Sequence, residues 1–225
     1  DLTKNKYSYE IYYMREQRNG RKFIRRIKTF FTSQIKKEIK EVRHNLGLLL
    51  TKKISYINPY QLNYFTRLKI KTKRKKQLIN SYKKNIQKMD YNKKYIYFTL
   101  HYEPERTSNP DGGIFHDQLK ALINLRNIVP GDIQIVVKEH PTQFNPSFKG
   151  TLGRSSLFYD LVRNILNVKL ISVDENSIKL ILNSEFVATL TGTVAIEASI
   201  LGKNTLYFGN PWYRGLPNTF DISNS

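Results

Sequence analysis

The 225-residue chain has no cysteine, which removes disulfides, thiolate metal sites and cysteine nucleophiles from consideration. It has no apolar run near the roughly 18 residues that a membrane-spanning helix needs; "LGLLL" at 46–50 is far too short. No secretory signal pattern stands at the start. The chain opens on Asp1 rather than Met and stops at "FDISNS", and is expected to be a piece of something longer. The familiar nucleotide and hydrolase signatures are missing too. There is no GxxxxGK[ST] loop, no GxGxxG fingerprint and no G-x-S-x-G elbow. None of the four histidines has the spacing of a metal helix such as HExxH, and no Asp-x-Asp pair occurs, so no metal site is expected.

What the chain does have is positive charge, unevenly spread. The formal net charge is +20. Residues 1–90 hold 25 Lys/Arg against 6 Asp/Glu, whereas residues 91–225 hold 13 against 12. This step divides the chain into a basic, mainly helical segment (1–90) and a neutral domain (91–225). In "RKFIRRIKTFFTSQIKKEIKEVRHNLGLLL" (21–50), Ile24, Ile27, Phe31, Ile35, Ile39 and Val42 fall three or four apart. That spacing predicts an amphipathic basic helix. A second basic run (67–88) packs five Lys/Arg into positions 71–76. Residues 21–88 could lie on an anionic membrane surface or a polyanionic glycan, or form ordinary solvated helix. Nucleic acid is disfavoured, since no finger or RRM signature accompanies the charge.

From residue 95 the pattern alternates. "YIYFTL" (95–100), "IQIVVKE" (133–139), "VKLISV" (168–173), "FVATL" (186–190) and "NTLYFG" (204–209) read as strands. Helical periodicity fills 113–129, 155–165, 176–184 and 193–202, the second of these opened by a serine N-cap. Strands this apolar, separated by helices, predict an α/β fold: a doubly wound, Rossmann-like parallel sheet covered on both faces. Ligands bind such sheets beyond the carboxyl ends of the strands.

Polar residues gather at those ends. "HYEPERTSNPDGG" (101–113) brings His101, Glu103, Glu105 and Arg106, then Gly112 and Gly113. "KEHP" (138–141) follows the second strand, "TGT" (191–193) the fourth and "GNPWY" (209–213) the fifth. Thr191, Gly192 and Thr193 lead into a helix, where free amides can hold a phosphate; the same residues also suit a plain threonine N-cap. Glu197 sits one turn inside an otherwise apolar helix, either paired with a base or accepting from a ligand's hydroxyls. His140 is a lone histidine whose backbone Pro141 pushes into an extended conformation. A lone histidine after a strand is more often a capped surface residue than a catalytic one; beside Lys138 it would suit a phosphate or a leaving group.

Taken together, "YFTLHYEPE", "GGIFHDQL", "KEHP" and "TGTVAIEASILGKNTLYFGNPWY" resemble the bacterial capsular polysaccharide biosynthesis family, which includes Kdo transferases. The resemblance covers about residues 95–213 and does not extend into the basic half. It implies a GT-B glycosyltransferase, with 91–225 as the nucleotide-sugar-binding lobe and a CMP-activated donor, CMP-Kdo. It further implies metal-free transfer to a lipid-linked or glycan acceptor at the inner, cytoplasmic face of the membrane. On this chain His140 and Lys138 would meet the donor phosphate, and Thr191, Gly192 and Thr193 would hold it. Glu197 would take the ribose hydroxyls, and Gly112 and Gly113 would line the cleft. Residues 1–90 do not read as a full second lobe, so the base that activates the acceptor is open, with His101 and Glu105 as candidates. A teichoic-acid-type polyol-phosphate transferase using a CDP donor, and a non-catalytic scaffold binding glycan or membrane, are the competing readings.

Overall fold

The computed structural model describes residues 64–145 and 148–223. The chain divides into two compact units, Asp1–Ile70 and Lys71–Ser225. The amphipathic helix expected within 21–50 lies outside the described residues.

The second unit is built on six parallel strands: β1 (Tyr95–Thr99), β2 (Gln134–Lys138), β3 (Val168–Ile171), β4 (Phe186–Thr189), β5 (Thr205–Tyr207) and β6 (Thr219–Asp221). Their order across the sheet is β3-β2-β1-β4-β5-β6. The chain therefore winds outward in one direction from β1 to β3, then crosses back and continues from β4 to β6. The β1–β4 junction is the switch point, the place at which sheets of this kind take their ligands.

The central strands β1 and β2 are buried on both faces, which is why they read as continuous apolar runs rather than alternating ones. Ile96, Phe98, Ile135 and Val137 point into one core layer. Tyr95, Tyr97, Val136 and Val187 point into the other. The first layer is closed by α1 (Tyr64–Asn85), α2 (Gln118–Ile128) and α4 (Phe158–Asn164), through Leu78, Leu122, Leu125 and Tyr159. The second is closed by α5 (Ser177–Asn183) and α6 (Val194–Ile200), through Leu180, Ile181 and Ala198. Each buried Leu or Phe removes enough apolar surface to contribute about 1.5–3 kcal/mol.

Helix α1 carries the second basic run, and its two faces behave differently. Leu78 and Tyr82 are buried in the first core layer. The Tyr82 hydroxyl donates to the Ile171 carbonyl at 3.2 Å and accepts from the Val173 amide at 2.8 Å. Lys71, Lys73, Arg74, Lys76, Lys83 and Lys84 are exposed. An apolar stripe and a cationic face thus share one helix, so packing against the sheet begins ahead of the charge step near residue 90.

Three local features depart from the sequence reading. The helix expected from 113 is a 3-10 turn (Gly113–Phe115), followed by a restart in which the Asp117 carboxylate caps α2 by accepting from the Leu119 amide. Helix α4 starts later than expected, with Leu157 at its N-cap and no side-chain cap. The Ser155 hydroxyl instead accepts from the Leu157 amide in the preceding turn. Strand β6 was not expected, since three half-exposed residues carry no apolar run. It pairs with β5 after Asn218, whose φ of 60° is one that asparagine tolerates. A single helical turn, α3 (Gly150–Gly153), follows the loop after β2.

Candidate active site

At the switch point the loops after β1 and β4 meet on His101. This residue is buried, and its Nε2 accepts from the Thr191 amide at 3.2 Å, with the Thr189 hydroxyl at 3.3 Å. A backbone N–H can only donate, so Nε2 carries a lone pair and the ring is neutral, with its proton on Nδ1 near the Thr107 hydroxyl (3.4 Å). Burial lowers the pKa of His101 to about 4, with the charges of His140 and Arg154 adding to the effect. Gln118 fixes its backbone on both sides, accepting from the His101 amide at 2.8 Å and donating to its carbonyl at 3.2 Å.

This hub decides how the TGT turn is used. The Thr191 amide is spent on His101, and the Gly192 amide donates to the Thr189 hydroxyl at 3.2 Å. The Thr191 hydroxyl donates to the Thr107 carbonyl, and the Gly192 carbonyl accepts from the Tyr213 hydroxyl at 2.8 Å. A Cβ at Gly192 would stand 2.6 Å from the Thr189 hydroxyl and 3.3 Å from His101 Nε2. Glycine is therefore needed there for packing against the hub. Of the three residues only Thr193 is exposed; it occupies the N-cap of the seven-residue α6 without a side-chain capping bond. Sequence spacing presents TGT as an open anion cradle, whereas here two of its amides are turned inward.

At the end of β2 the three ionisable residues of KEHP go three ways. The Lys138 ammonium is buried and donates to the Glu175 carbonyl at 2.6 Å and the Ser177 hydroxyl at 2.8 Å. Burial lowers its pKa, against the opposing pull of the Glu175, Asp174 and Glu197 carboxylates. Glu197 is thus within electrostatic reach of Lys138, and also of Tyr97 in β1. His140 is exposed and caps the following 3-10 turn (Pro141–Phe144). Its backbone is extended (φ −70°, ψ 128°), as Pro141 requires. His140 Nδ1 accepts from the Thr142 amide at 3.2 Å, which leaves the neutral ring's proton on Nε2. The pKa of His140 is lowered, chiefly because the surrounding protein displaces water; Glu139 and Glu105 oppose that shift.

Glu105 is exposed on the β1 loop and acts on His140 through its charge. Gly113 is exposed with φ 56°, a backbone that favours glycine. Gly112 is buried against backbone. A Cβ there would meet the Ser108 carbonyl at 2.3 Å, and one at Gly209 would lie 3.0 Å from the Gly112 Cα. These two glycines let the loops after β1 and β5 touch.

Sequence reasoning passed over the element that holds these loops together. Glu139, between Lys138 and His140, is fully enclosed and forms an ion pair with the buried Arg154 at 3.1 Å. The Glu139 carboxylate also accepts from the Tyr159 hydroxyl (2.7 Å), Arg154 Nη2 (3.2 Å) and the His140 amide (2.8 Å). Arg154 Nη2 further donates to the His101 carbonyl at 2.8 Å, and the guanidinium lies 4.3 Å from the Phe158 ring centre. One buried pair therefore ties His101 to His140. Gln143 adds a second tie, accepting from the Glu103 amide and donating to the Gly150 carbonyl, each at 2.8 Å. The available signal was a glutamate embedded at the end of an otherwise apolar strand, where a carboxylate needs a buried partner.

A family model described as "Capsule polysaccharide biosynthesis protein" matches residues 14–223. The chain belongs to this family. The match takes in every residue of the site and most of the basic half, so it runs well beyond the 95–213 stretch that carries the resemblance in sequence. No curated protein matches the chain. Among solved structures, it is similar to the beta Kdo 2,7 transferase of Thermosulfurimonas dismutans KpsC. Identity is 22%, over 78% of this chain and 49% of that one, with a TM-score of 0.43. The beta Kdo 2,4 transferase of the same KpsC is 18% identical over 75% of this chain and 52% of that one, with a TM-score of 0.44. A UDP co-structure of S. aureus MnaA is 20% identical over 58% and 30%, with a TM-score of 0.33. The chain thus spans about half the length of the Kdo transferases it is similar to. Among the described residues, no helix is long and apolar enough to cross a membrane.

Proposed function

We propose that this family member is the nucleotide-sugar-binding lobe of a GT-B glycosyltransferase of capsule biosynthesis. The donor is a CMP-activated sugar, Kdo in the reading given by the sequence resemblance, and the acceptor is a lipid-linked or other glycan. The observation that carries the proposal is His140. It stands at the carboxyl end of β2, beside the β1–β4 switch point, with a backbone fixed by Pro141 and a ring fixed by the Thr142 amide. Its Nε2–H is a pre-set donor for an anionic oxygen.

In this reading the bond between the anomeric carbon and the phosphate oxygen breaks and its electron pair stays on the departing CMP. His140 Nε2 donates to that phosphate as charge builds on it, so that the stabilisation comes from a donor already in place. Lys138 stiffens the β2 terminus and adds positive potential from behind, since its ammonium is bound to Glu175 and Ser177. Of the TGT residues Thr193 is the one open to a ligand, and Glu197 serves the ribose. The acceptor hydroxyl attacks the anomeric carbon and gives up its proton. Glu105, exposed and near His140, suits that role better than the enclosed, low-pKa His101. The transfer draws on no resident cofactor or metal. Basic residues within 21–88 hold the protein on the inner face of the membrane.

Thermal-shift titration with CMP, CDP and UDP tests the donor. At 100 times Kd, CMP stabilises by about 2.7 kcal/mol, or roughly 5–10 °C for a unit of this size. His140→Ala weakens CMP binding at least several-fold. A preference for CDP, no response to any nucleotide, or unchanged CMP affinity in His140→Ala would each refute the assignment.

A further inference from the structure

The loop after β5, Gly209–Arg214, is the motif that the donor reading leaves unused. It is fastened on every side. The Asn210 amide donates to the Asp111 carbonyl of the β1 loop at 2.8 Å, and the Gly209 amide to the Ser223 hydroxyl at 3.0 Å. The Tyr213 hydroxyl donates to the Gly192 carbonyl of the TGT turn. Arg214 closes the loop on itself, donating to the Gly209 carbonyl at 3.2 Å and pairing with Asp221 at 3.8 Å. Pro211 is buried and Tyr213 is 3% exposed, yet Trp212 between them is 79% exposed. One side of its indole meets the Tyr213 ring edge-on, with centroids 5.7 Å apart. A large aromatic held outward on a braced loop, with its neighbours pinned inward, leaves most of its apolar surface open to solvent.

We infer that Trp212 is a stacking platform for a pyranose ring of the acceptor glycan, an inference that rests on the donor reading above. The ligand class follows from shape and distance. A sugar ring presents a face of C–H groups that lies flat on an indole and displaces water from both surfaces. The loop belongs to the same strand-end rim as the switch point, because its bonds reach both the β1 and the β4 loops. In the strand order, β5 lies three places from β2, roughly 14 Å at about 4.8 Å per strand. An indole this exposed, on the outer part of the rim, suits an extended glycan chain rather than a base that the protein would enclose, and Trp212 sets how the growing chain enters.

The chain's sole tryptophan is its own reporter. In the 225-residue protein, titration with a short Kdo oligosaccharide shifts the Trp212 emission to the blue and saturates, while CMP leaves it unmoved. By calorimetry, Trp212→Ala weakens oligosaccharide binding at least 10-fold and Trp212→Phe recovers part of the loss. Neither substitution changes the melting temperature or the CMP-induced shift. An emission change with CMP but none with oligosaccharide overturns the inference in favour of a base platform. Equal oligosaccharide affinity in Trp212→Ala, or no emission response to the oligosaccharide, also overturns it. A CMP thermal shift without an oligosaccharide response sinks this inference alone, whereas no shift with any nucleotide sinks the donor reading.

Discussion

Replacing Glu139 with alanine leaves the Arg154 guanidinium, whose side chain is 3% exposed, without its carboxylate. Its remaining contacts are the His101 carbonyl and the Phe158 face, neither of which neutralises a charge. Removing one member of a buried pair costs about 3–5 kcal/mol, since the survivor is charged and cut off from water. The Tyr159 hydroxyl and the His140 amide lose their acceptor in the same step. For a unit of this size each kcal/mol moves the melting temperature by about 2–4 °C, so Glu139→Ala should lower it by roughly 6–20 °C. The double variant Glu139→Leu/Arg154→Met removes both charges together and should be destabilised by at least about 2 kcal/mol less than the two singles summed. Thermal melts of the unaltered protein, Glu139→Leu, Arg154→Met and the double variant at one pH make the cycle. A loss under about 3 °C in Glu139→Ala, or singles that simply add, would refute the view that this pair holds the two loops.

Histidine 101 predicts a pH dependence. Its pKa is about 4 in the fold and about 6.5 unfolded, so above pH 6.5 both states are neutral and the residue adds no slope. Between 6.5 and 4 the unfolded chain binds a proton that the fold refuses, and stability falls with pH by about 3 kcal/mol in total. His101→Gln should melt with a shallower acid slope across that window; a slope as steep as that of the unaltered protein would contradict a buried neutral imidazole. Membrane contact through the basic residues predicts flotation with liposomes containing anionic lipid and loss of flotation at high salt. Flotation that ignores lipid charge would rule it out.

The sheet was legible because its central strands are buried on both sides, so "IQIVV" and "YIYF" announce themselves without regard to neighbours. The family was legible because several ordered blocks agree. The conformation of His140 was legible because Pro141 acts on the adjacent residue and needs no tertiary contact. What escaped depends on residues far apart in the chain. Glu139 meets Arg154 only because α3 and the turn after it fold back under β2. The TGT amides face inward only because parallel pairing of β1 and β4 carries His101 beneath them, 90 residues from Thr191 in sequence. Strand β6 escaped for a local reason, since "TFD" is short and half exposed, and only its partner β5 makes it a strand.

Helix α1 holds its place through Leu78, Tyr82 and the hydroxyl of Tyr82, all on one side of the cylinder. On its cationic side Lys84 pairs with Asp160 of α4 at 3.7 Å, whereas Lys73, Arg74 and Lys76 are exposed. Charge at those three positions can therefore be tuned to suit a given anionic surface or polymer while the sheet beneath stays as it is.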